Sequence, residues 1–232
     1  MKRHPLRLSV CTALAVLLVT GCTTTNPEDP WQAFNRQTFA FNDALDRAVL
    51  EPVATAWHFL PDVVESGVSN FFENLGVPWT FANDLLQAKP IAAGHDLTRF
   101  LLNSTVGVAG FIDVASRIDV EENAEDFGQT LGFWGIPPGP YLVLPVFGPS
   151  NPRDTAGRVA DVIGNPFFYV SPGWIGTAAG AVDLVNARAQ VLEAIRGERE
   201  AALDYYVFVR DAYTQNRRRR IHGDVLSQPA NE

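Results

Sequence analysis

Apolar residues recur at helical spacing along most of the chain. Asp29-Pro30 has the form of an N-cap followed by a proline at the first helical position, and the apolar stripe that starts at Trp31 predicts a helix. We expect Pro52 to end or bend this helix, because proline lacks the N–H that an interior helical position donates. A second, short helix is predicted over residues 51–60.

The clearest amphipathic pattern follows Pro61. Apolar residues at offsets 0, 4, 7, 8 and 11 from Val64 predict a third helix, which the Gly-Val-Pro sequence at residues 76–78 should break. A fourth, short helix is expected over residues 79–88. Residues 91–117 carry the longest helical signal, although two glycines near its end weaken the pattern there.

Two long segments are apolar but irregular. Residues 126–154 combine aromatic and aliphatic residues with many prolines and glycines, and within them only residues 141–147 resemble a strand. Residues 162–182 are uncharged over 21 positions, a length that would suit a membrane span. Their prolines and four glycines argue against a span, because broken backbone facing lipid leaves polar groups unpaired. Residues 118–125 are acidic and predict an exposed, mobile loop.

Helical patterns return over residues 153–163, 178–197 and 198–220. The last helix ends in four arginines, at positions 217–220, which complement the helix dipole. Two interpretations of these arginines stay open, namely attraction to anionic headgroups or an acidic partner, and a solvated helix end. We expect residues 221–232 to form a flexible polar tail.

The N-terminus predicts a cleaved lipoprotein signal over residues 1–21. A basic start precedes an apolar stretch that ends in the lipobox Val19-Thr20-Gly21-Cys22. We expect the Cys22 thiol to receive a diacylglycerol group, and the Cys22 amine that signal cleavage frees to be acylated. These covalent groups are the only cofactors that we expect. The alternative is an ordinary secreted protein whose Cys22 is incidental. A non-aspartate residue after the cysteine favours the outer membrane, with residues 22–28 as a short lipidated tether.

Charge and cysteine content exclude several classes of protein. Removal of the signal leaves 211 residues with 15 basic and 26 acidic side chains, a net charge of −11, which makes nucleic acid an improbable partner. Cys11 leaves with the signal and Cys22 is acylated, so disulfides and thiolate metal sites are excluded. The remaining length suits one domain, which we place at residues 29–220.

Catalytic motifs do not stand out in the sequence. It contains no nucleophile elbow, P-loop or H-E-x-x-H motif, and we predict neither a catalytic residue nor a metal site. Four aspartates could act as acids or bases, but helix caps or arginine partners explain Asp126 and Asp154 equally well, because these two bracket a turn-rich loop. The candidates are Asp113, Asp126, Asp154 and Asp161, and the scattered histidines are His58, His95 and His222. A lipid-modifying enzyme is therefore only an alternative.

Aromatic residues are frequent in this acidic chain, as at membrane interfaces. Several longer motifs resemble the MlaA (VacJ) family of outer-membrane lipoproteins, and the resemblance covers residues 29–217. They are DPWQAFNR at 29–36, SNFFEN at 69–74, NDLLQ at 83–87, RFLLNSTVGVAGFIDVA at 99–115, DFGQTLGFWG at 126–135 and GPYLVLPVFG at 139–148.

The resemblance implies an all-α fold, a ring-like bundle of amphipathic helices in the membrane interface around a central channel. It implies removal of mislocalised phospholipid from the outer leaflet, often beside a trimeric porin, and delivery to the periplasmic carrier MlaC. This retrograde transport would maintain outer-membrane lipid asymmetry. The alternatives are a lipid-modifying enzyme and a purely structural lipoprotein.

The resemblance also implies roles for individual residues. It places Asn70 and Phe71 at the helix edge where the ring meets the membrane, and residues 118–126 in a loop that gates the channel. Five further residues are expected in the channel wall or its support, with simple packing as the alternative role. They are Phe127, Gly128, Tyr141, Leu144 and Pro145.

Overall fold

The structure, a computed structural model, describes Pro27 and residues 29–223. Cys22, most of the predicted tether and the tail beyond residue 223 lie outside this range. The described regular structure is almost entirely helical, which confirms the all-α prediction. The helices are α1 (Gln32–Leu45), α2 (Glu51–Trp57), α3 (Asp62–Leu86), α4 (Pro90–Thr105), α5 (Phe127–Phe133), α6 (Pro152–Gly164), α7 (Gly173–Gln190), α8 (Leu192–Ala201) and α9 (Tyr205–His222).

Short elements join these helices. A π-helical turn links α1 to α2, two 3₁₀ turns follow α4 and α6, and one antiparallel ribbon precedes α6. The π turn is Asp46–Leu50, the 3₁₀ turns are Ser116–Ile118 and Pro166–Tyr169, and the strands are β1 (Leu142–Leu144) and β2 (Gly148–Ser150). Leu142 pairs with Ser150 and Leu144 with Gly148. The strand prediction at residues 141–147 is thus confirmed for β1, whereas β2 was missed.

Side-chain caps begin three of the later helices, α5, α6 and α9. Asp126 accepts a hydrogen bond from the Gln129 N–H at the start of α5, and Asn151 accepts one from the Asp154 N–H at the start of α6. Asp204 caps α9 in the same way. The predicted final helix began at residue 198, which is wrong because the chain ends α8 at Ala201 and restarts after the Asp204 cap.

Two predicted helix ends are also wrong. α3 runs for 25 residues through Pro78, so residues 76–78 do not break it. An interior proline costs about 3 kcal/mol, which the packing of α3 along α4 and α7 offsets. α4 ends at Thr105 rather than near residue 117, because the chain turns back at Gly107. A Cβ on Gly107 would lie 2.2 Å from the Ile112 carbonyl oxygen, so only glycine fits this turn.

The predicted helix over residues 178–197 is divided in two. α7 ends at Gln190, and α8 starts again at Leu192. Both helices are tied back to the π turn, where Asp46 accepts hydrogen bonds from Arg188 at 2.7 Å and from Arg199 at 2.9 Å. The turn falls just before Pro52, so the chain continues as α2 without an interior break at that proline.

Six of the nine helices named above bury polar residues. On α4 the buried residues include Asp96, Arg99 and Asn103, whereas Ile91 and Leu101 are exposed. Among the described residues, six of the eight buried apolar residues form two small clusters. One contains Ala54, Ala189 and Leu192, and the other contains Tyr141, Val143 and Tyr206. Within residues 29–223, no helix is both long and apolar enough to cross a membrane.

Candidate functional site

A cavity of about 190 Å³, lined mostly by polar and charged residues, lies between α3, α4 and the acidic segment that follows them, and we call it the polar cavity. One wall comes from α3, the opposite wall from α4, and the third from residues 113–124. The lining residues are Asn70, Phe72, Glu73, Asn74, Gly76, Val77, Thr80, Asp96, Arg99, Asn103, Asp113, Glu122, Asn123 and Ala124.

Arg99 joins α4 to the segment that closes the cavity. Its guanidinium is nearly buried and its Nη2 lies 3.1 Å from Asp113 Oδ2. Its Nη1 donates to Ser116 Oγ at 3.0 Å and to the Val120 carbonyl at 2.9 Å. Because one buried cation makes all these bonds, the path of the segment depends on Arg99.

Asn103 shapes the turn that carries Asp113. Its Oδ1 accepts hydrogen bonds from the Val114 and Ala115 N–H groups, and its Nδ2 donates to Asp113 Oδ1 at 2.9 Å. Burial opposes ionisation of Asp113, but hydrogen bonds from Ser116 and Asn103 and the charge of Arg99 lower its pKa below the usual range. Asp113 is therefore a fixed carboxylate.

A pair of buried carboxyl groups, one of which lines the cavity, lies at its wall. Asp84 and Asp96 are both almost fully buried, and Asn123 donates to Asp84 Oδ2 at 2.6 Å. Burial, and then the negative charge of Asp84, raise the pKa of Asp96 to about 7. Burial and the charges of Glu122 and Asp113 raise the pKa of Glu73 as well. The cavity thus carries negative charge that the protein only partly compensates.

The acidic segment is not a wholly exposed loop, and the prediction for residues 118–125 is wrong at its C-terminal end. Glu121 and Glu122 are exposed, but the Glu125 side chain is only 7% exposed. Lys89 Nζ lies 2.8 Å from Glu125 Oε1, and Gln87 donates to Glu125 Oε2 at 2.9 Å. The α3–α4 turn therefore holds the end of the segment, and a gating role for it stays a prediction.

A second polar cluster, the ionic junction, joins α5, α6 and α9. Arg217 donates to Asp126 Oδ1 at 2.9 Å and to Asp154 Oδ2 at 2.8 Å. Burial opposes ionisation of both carboxyls, but the hydrogen bonds from Arg217 lower the pKa of each. Both open interpretations of the terminal arginines are thus wrong for Arg217, because its side chain is only 14% exposed and pairs with two aspartates of the same chain. Arg218 and Arg219 are exposed.

The four candidate aspartates all have structural partners. Asp113 pairs with Arg99, while Asp126 and Asp154 pair with Arg217. Asp161 accepts hydrogen bonds from Trp79 Nε1 and from the Phe127 N–H, each at 2.9 Å. Their interpretation as caps or arginine partners is confirmed for Asp126 and Asp154. In the described range, no group of three or more histidine, aspartate or glutamate side chains is arranged to hold a metal.

The sequence-predicted site residues lie in three separate places. Asn70 lines the cavity and donates to the Phe111 carbonyl at 3.2 Å, and the Phe71 ring stacks on Phe111 at 4.9 Å. Phe127 packs between Trp79 and Trp134, 6.4 and 6.0 Å away between ring centroids.

Gly128 belongs to the ionic junction, where a Cβ would lie 2.7 Å from Arg217 Nη2. Tyr141 is buried against α9, while the Leu144 carbonyl accepts a hydrogen bond from Asn42 at 2.9 Å. Pro145 is exposed at the ribbon turn. Of the predicted set, only Asn70 lines the polar cavity, and the channel roles of all seven stay predictions.

Sequence reasoning missed the residues that build the cavity. Asp96, Arg99 and Asn103 are spaced at offsets 0, 3 and 7, so they form a polar stripe on one face of α4. On α3, Asn74 belongs to a similar set of buried polar residues. The available signal was a polar stripe opposite an apolar one, but that pattern does not show which face is buried.

Comparison with known proteins indicates one family. The family model described as MlaA lipoprotein matches residues 27–220. The intermembrane phospholipid transport system lipoprotein MlaA of Haemophilus influenzae is 34% identical, over 92% of this chain and 90% of its own. The protein of the same description from Escherichia coli K12 is 35% identical, over 90% and 86%.

One solved structure has the same fold, with a TM-score of 0.73 and 34% sequence identity. The match covers 83% of this chain and 98% of the other chain. The other structure is described as the structural basis for maintenance of bacterial outer membrane lipid asymmetry.

Proposed function

The chain belongs to the MlaA lipoprotein family, and on this premise we propose that it transports phospholipid between membranes and maintains outer-membrane lipid asymmetry. It removes mislocalised phospholipids from the outer leaflet and passes them to a periplasmic carrier for retrograde transport. The protein lies on the periplasmic side of the outer membrane and is held there by the acyl groups on Cys22.

Inverted burial is the observation that carries this proposal. Among the described residues, 18 polar or charged residues are buried against only eight hydrophobic ones, so the interior is more polar than apolar. Large apolar side chains such as Val63 and Ile91 are 84% and 76% exposed. Exposure of such an apolar surface to water is unfavourable, whereas its contact with lipid is not. Buried polar groups are suited to a path for lipid headgroups.

The backbone is compatible with this environment because side chains satisfy its irregular parts. Asn35 accepts a hydrogen bond from the Val143 N–H and donates to the Tyr141 carbonyl, and Asn42 bonds both ends of the ribbon turn. Broken backbone is tolerated at membrane depth where protein covers it or where it lines a watery cavity. The prolines and glycines of residues 126–154 are therefore consistent with a membrane-embedded ring around a channel.

The anchor keeps the protein close to the membrane. Four residues lie between Cys22 and Pro27, where the described structure begins, so the chain reaches at most about 18 Å from the acylated cysteine. Transport is passive in this account, with the headgroup in the polar interior and the acyl chains along apolar surface. The carrier MlaC and a trimeric porin are the proposed partners, and the affinity of the acceptor sets the direction of flux.

The deciding experiment measures outer-leaflet phospholipid in intact cells with a headgroup-reactive probe. Deletion of the gene should raise the signal, the wild type should restore it, and Cys22→Ala should not. An unchanged signal on deletion would leave the family fold without this role.

Gating by residues 118–126 has a separate test. A cysteine pair replacing Lys89 and Glu125, joined by a thiol cross-linker, would fix the segment to the α3–α4 turn. Lipid removal should fall on cross-linking and recover when the linker is cleaved. If removal is the same in both states, the segment is not a gate.

A further inference from the structure

The cavity between α3 and α4 has an excess of hydrogen-bond acceptors and negative charge. Its lining contains the carboxyl groups of Glu73, Asp96, Asp113 and Glu122 but only one cation, Arg99. In the described part of the chain no ion pair reaches Glu73. Glu73 and Glu122 are exposed, and a ligand that enters this cavity therefore meets more carboxyl groups than cations.

Arg99 has little left to offer an anionic ligand. Its Nη1 donates to Ser116 and Val120, and its Nη2 is bound to Asp113 at 3.1 Å. Glu122 Oε2 also lies near this guanidinium, 3.8 Å from Nη2. Because these groups surround the guanidinium, a phosphate would have to displace an existing partner.

Asn74 gives a second, independent indication of the ligand. It is 4% exposed and lines the cavity, and its Nδ2 donates to Ser104 Oγ at 2.9 Å. Its Oδ1 is buried and has no hydrogen-bond partner among the described residues. Asp96 Oδ2 is likewise buried without a hydrogen-bond partner among the described residues, although a proton shared with Asp84 can satisfy one oxygen of that pair. Unpaired buried acceptors are costly, and a ligand that donates hydrogen bonds removes the cost.

From these contacts we propose that the cavity binds the primary ammonium group of a phospholipid headgroup, so that the protein favours aminophospholipids over anionic phospholipids. An ammonium group has one positive charge and three N–H donors, which match the carboxylates of Glu73 and Glu122 and the free oxygen of Asn74. A quaternary ammonium supplies the charge but no N–H donor, so it fits less well. This inference rests on the proposed function and names the lipid class that it carries.

Binding to the full-length acylated protein in neutral detergent micelles tests the proposal. Calorimetric titrations would use dihexanoyl phosphatidylethanolamine, dihexanoyl phosphatidylcholine and dihexanoyl phosphatidylglycerol, with ethanolamine alone as a further arm. The ethanolamine lipid should bind about tenfold more tightly than the glycerol lipid, with the choline lipid between them. Binding of free ethanolamine as tight as that of its lipid would show that the cavity recognises any small amine, which contradicts a lipid site.

Charge-neutral variants locate the preference. The double variant Glu73→Gln with Glu122→Gln should reduce the tenfold preference to about twofold or less. Glu121 neighbours Glu122 but does not line the cavity, so Glu121→Gln, which removes one negative charge, should leave the preference unchanged. Equal thermal unfolding of all variants shows that the fold is kept.

Two results would overturn the proposal, namely equal binding of all three lipids to the wild type, or a full preference in the double variant. Neither result touches the proposed function, because removal of outer-leaflet lipid is measured separately in cells. Conversely, selective binding without any cellular effect would leave the site in place and contradict the transport role.

Discussion

The ionic junction and the polar cavity both contain buried charges, but only in the junction does every carboxylate pair with a cation, because Arg153 also binds Asp154. In the junction, Arg217 lies between Asp126 and Asp154, and each carboxylate also accepts hydrogen bonds from neighbouring groups. In the cavity, Asp96 lies against Asp84, and Glu73 has no ion pair among the described residues. A balanced cluster holds helices together, whereas an unbalanced one weakens the fold and leaves interactions for a ligand.

The largest effect is expected from removing the cation of the junction. Arg217→Met should lower the free energy of unfolding by about 3 kcal/mol, because Asp126 loses its ion-pair partner and Asp154 keeps only Arg153. Chemical denaturation in detergent micelles measures the change. Arg219→Met, at an exposed position two residues further along α9, should change stability by less than about 0.5 kcal/mol. Similar losses in both variants would mean that the junction does not carry this stability.

A steric change should break the same junction less strongly. Gly128→Ala places a methyl group 2.7 Å from Arg217 Nη2 and 2.9 Å from Asp154 Oδ1, which should cost about 1–3 kcal/mol. Gly76→Ala is the matched control, because nothing lies within 4 Å of its Cβ position. That variant should gain up to about 1 kcal/mol from helix propensity. Thermal unfolding measures the stability of both variants. An unchanged stability of Gly128→Ala would show that the close packing around Gly128 does not matter to the fold.

The pH dependence of stability should have opposite signs in the two regions. The pKa values of Asp126 and Asp154 are lowered, so the stability that they contribute is lost as the pH falls below about 4. The pKa of Asp96 is raised to about 7, so the folded state holds a proton that the unfolded state releases. Stability should therefore decrease as the pH rises from about 4 to 7.

Asp96→Asn should sharpen this contrast with the smallest stability change of the series. The amide can donate to Asp84 without a shared proton, so stability at pH 7 should rise on the order of 1 kcal/mol. Unfolding curves between pH 4 and 7 should become flatter in the variant, with the loss below pH 4 unchanged. An unchanged slope in the upper range would show that Asp96 does not carry the raised pKa.

Local signals predicted most of the helices and the anchor motif, whereas the site depended on packing that local signals do not contain. Periodicity placed α6 within one residue at each end. It failed where tertiary contacts decided, as at Pro78 inside α3 and at the turn after Thr105. The polar stripe on α4 was visible, but its burial was not, because the usual expectation for an amphipathic helix is the reverse.

The central claim is that the apolar outside of this protein faces lipid while its polar cavity is wet. Single cysteines at Ile91 and Leu101 on the surface, and at Thr80 in the cavity, can be compared in the acylated protein reconstituted into bilayers. We expect the cavity cysteine to react with a water-soluble maleimide and the two surface cysteines to be protected, with their bimane labels quenched by brominated lipids. Free reaction of Ile91→Cys and Leu101→Cys with the water-soluble reagent, without lipid quenching, would contradict the account.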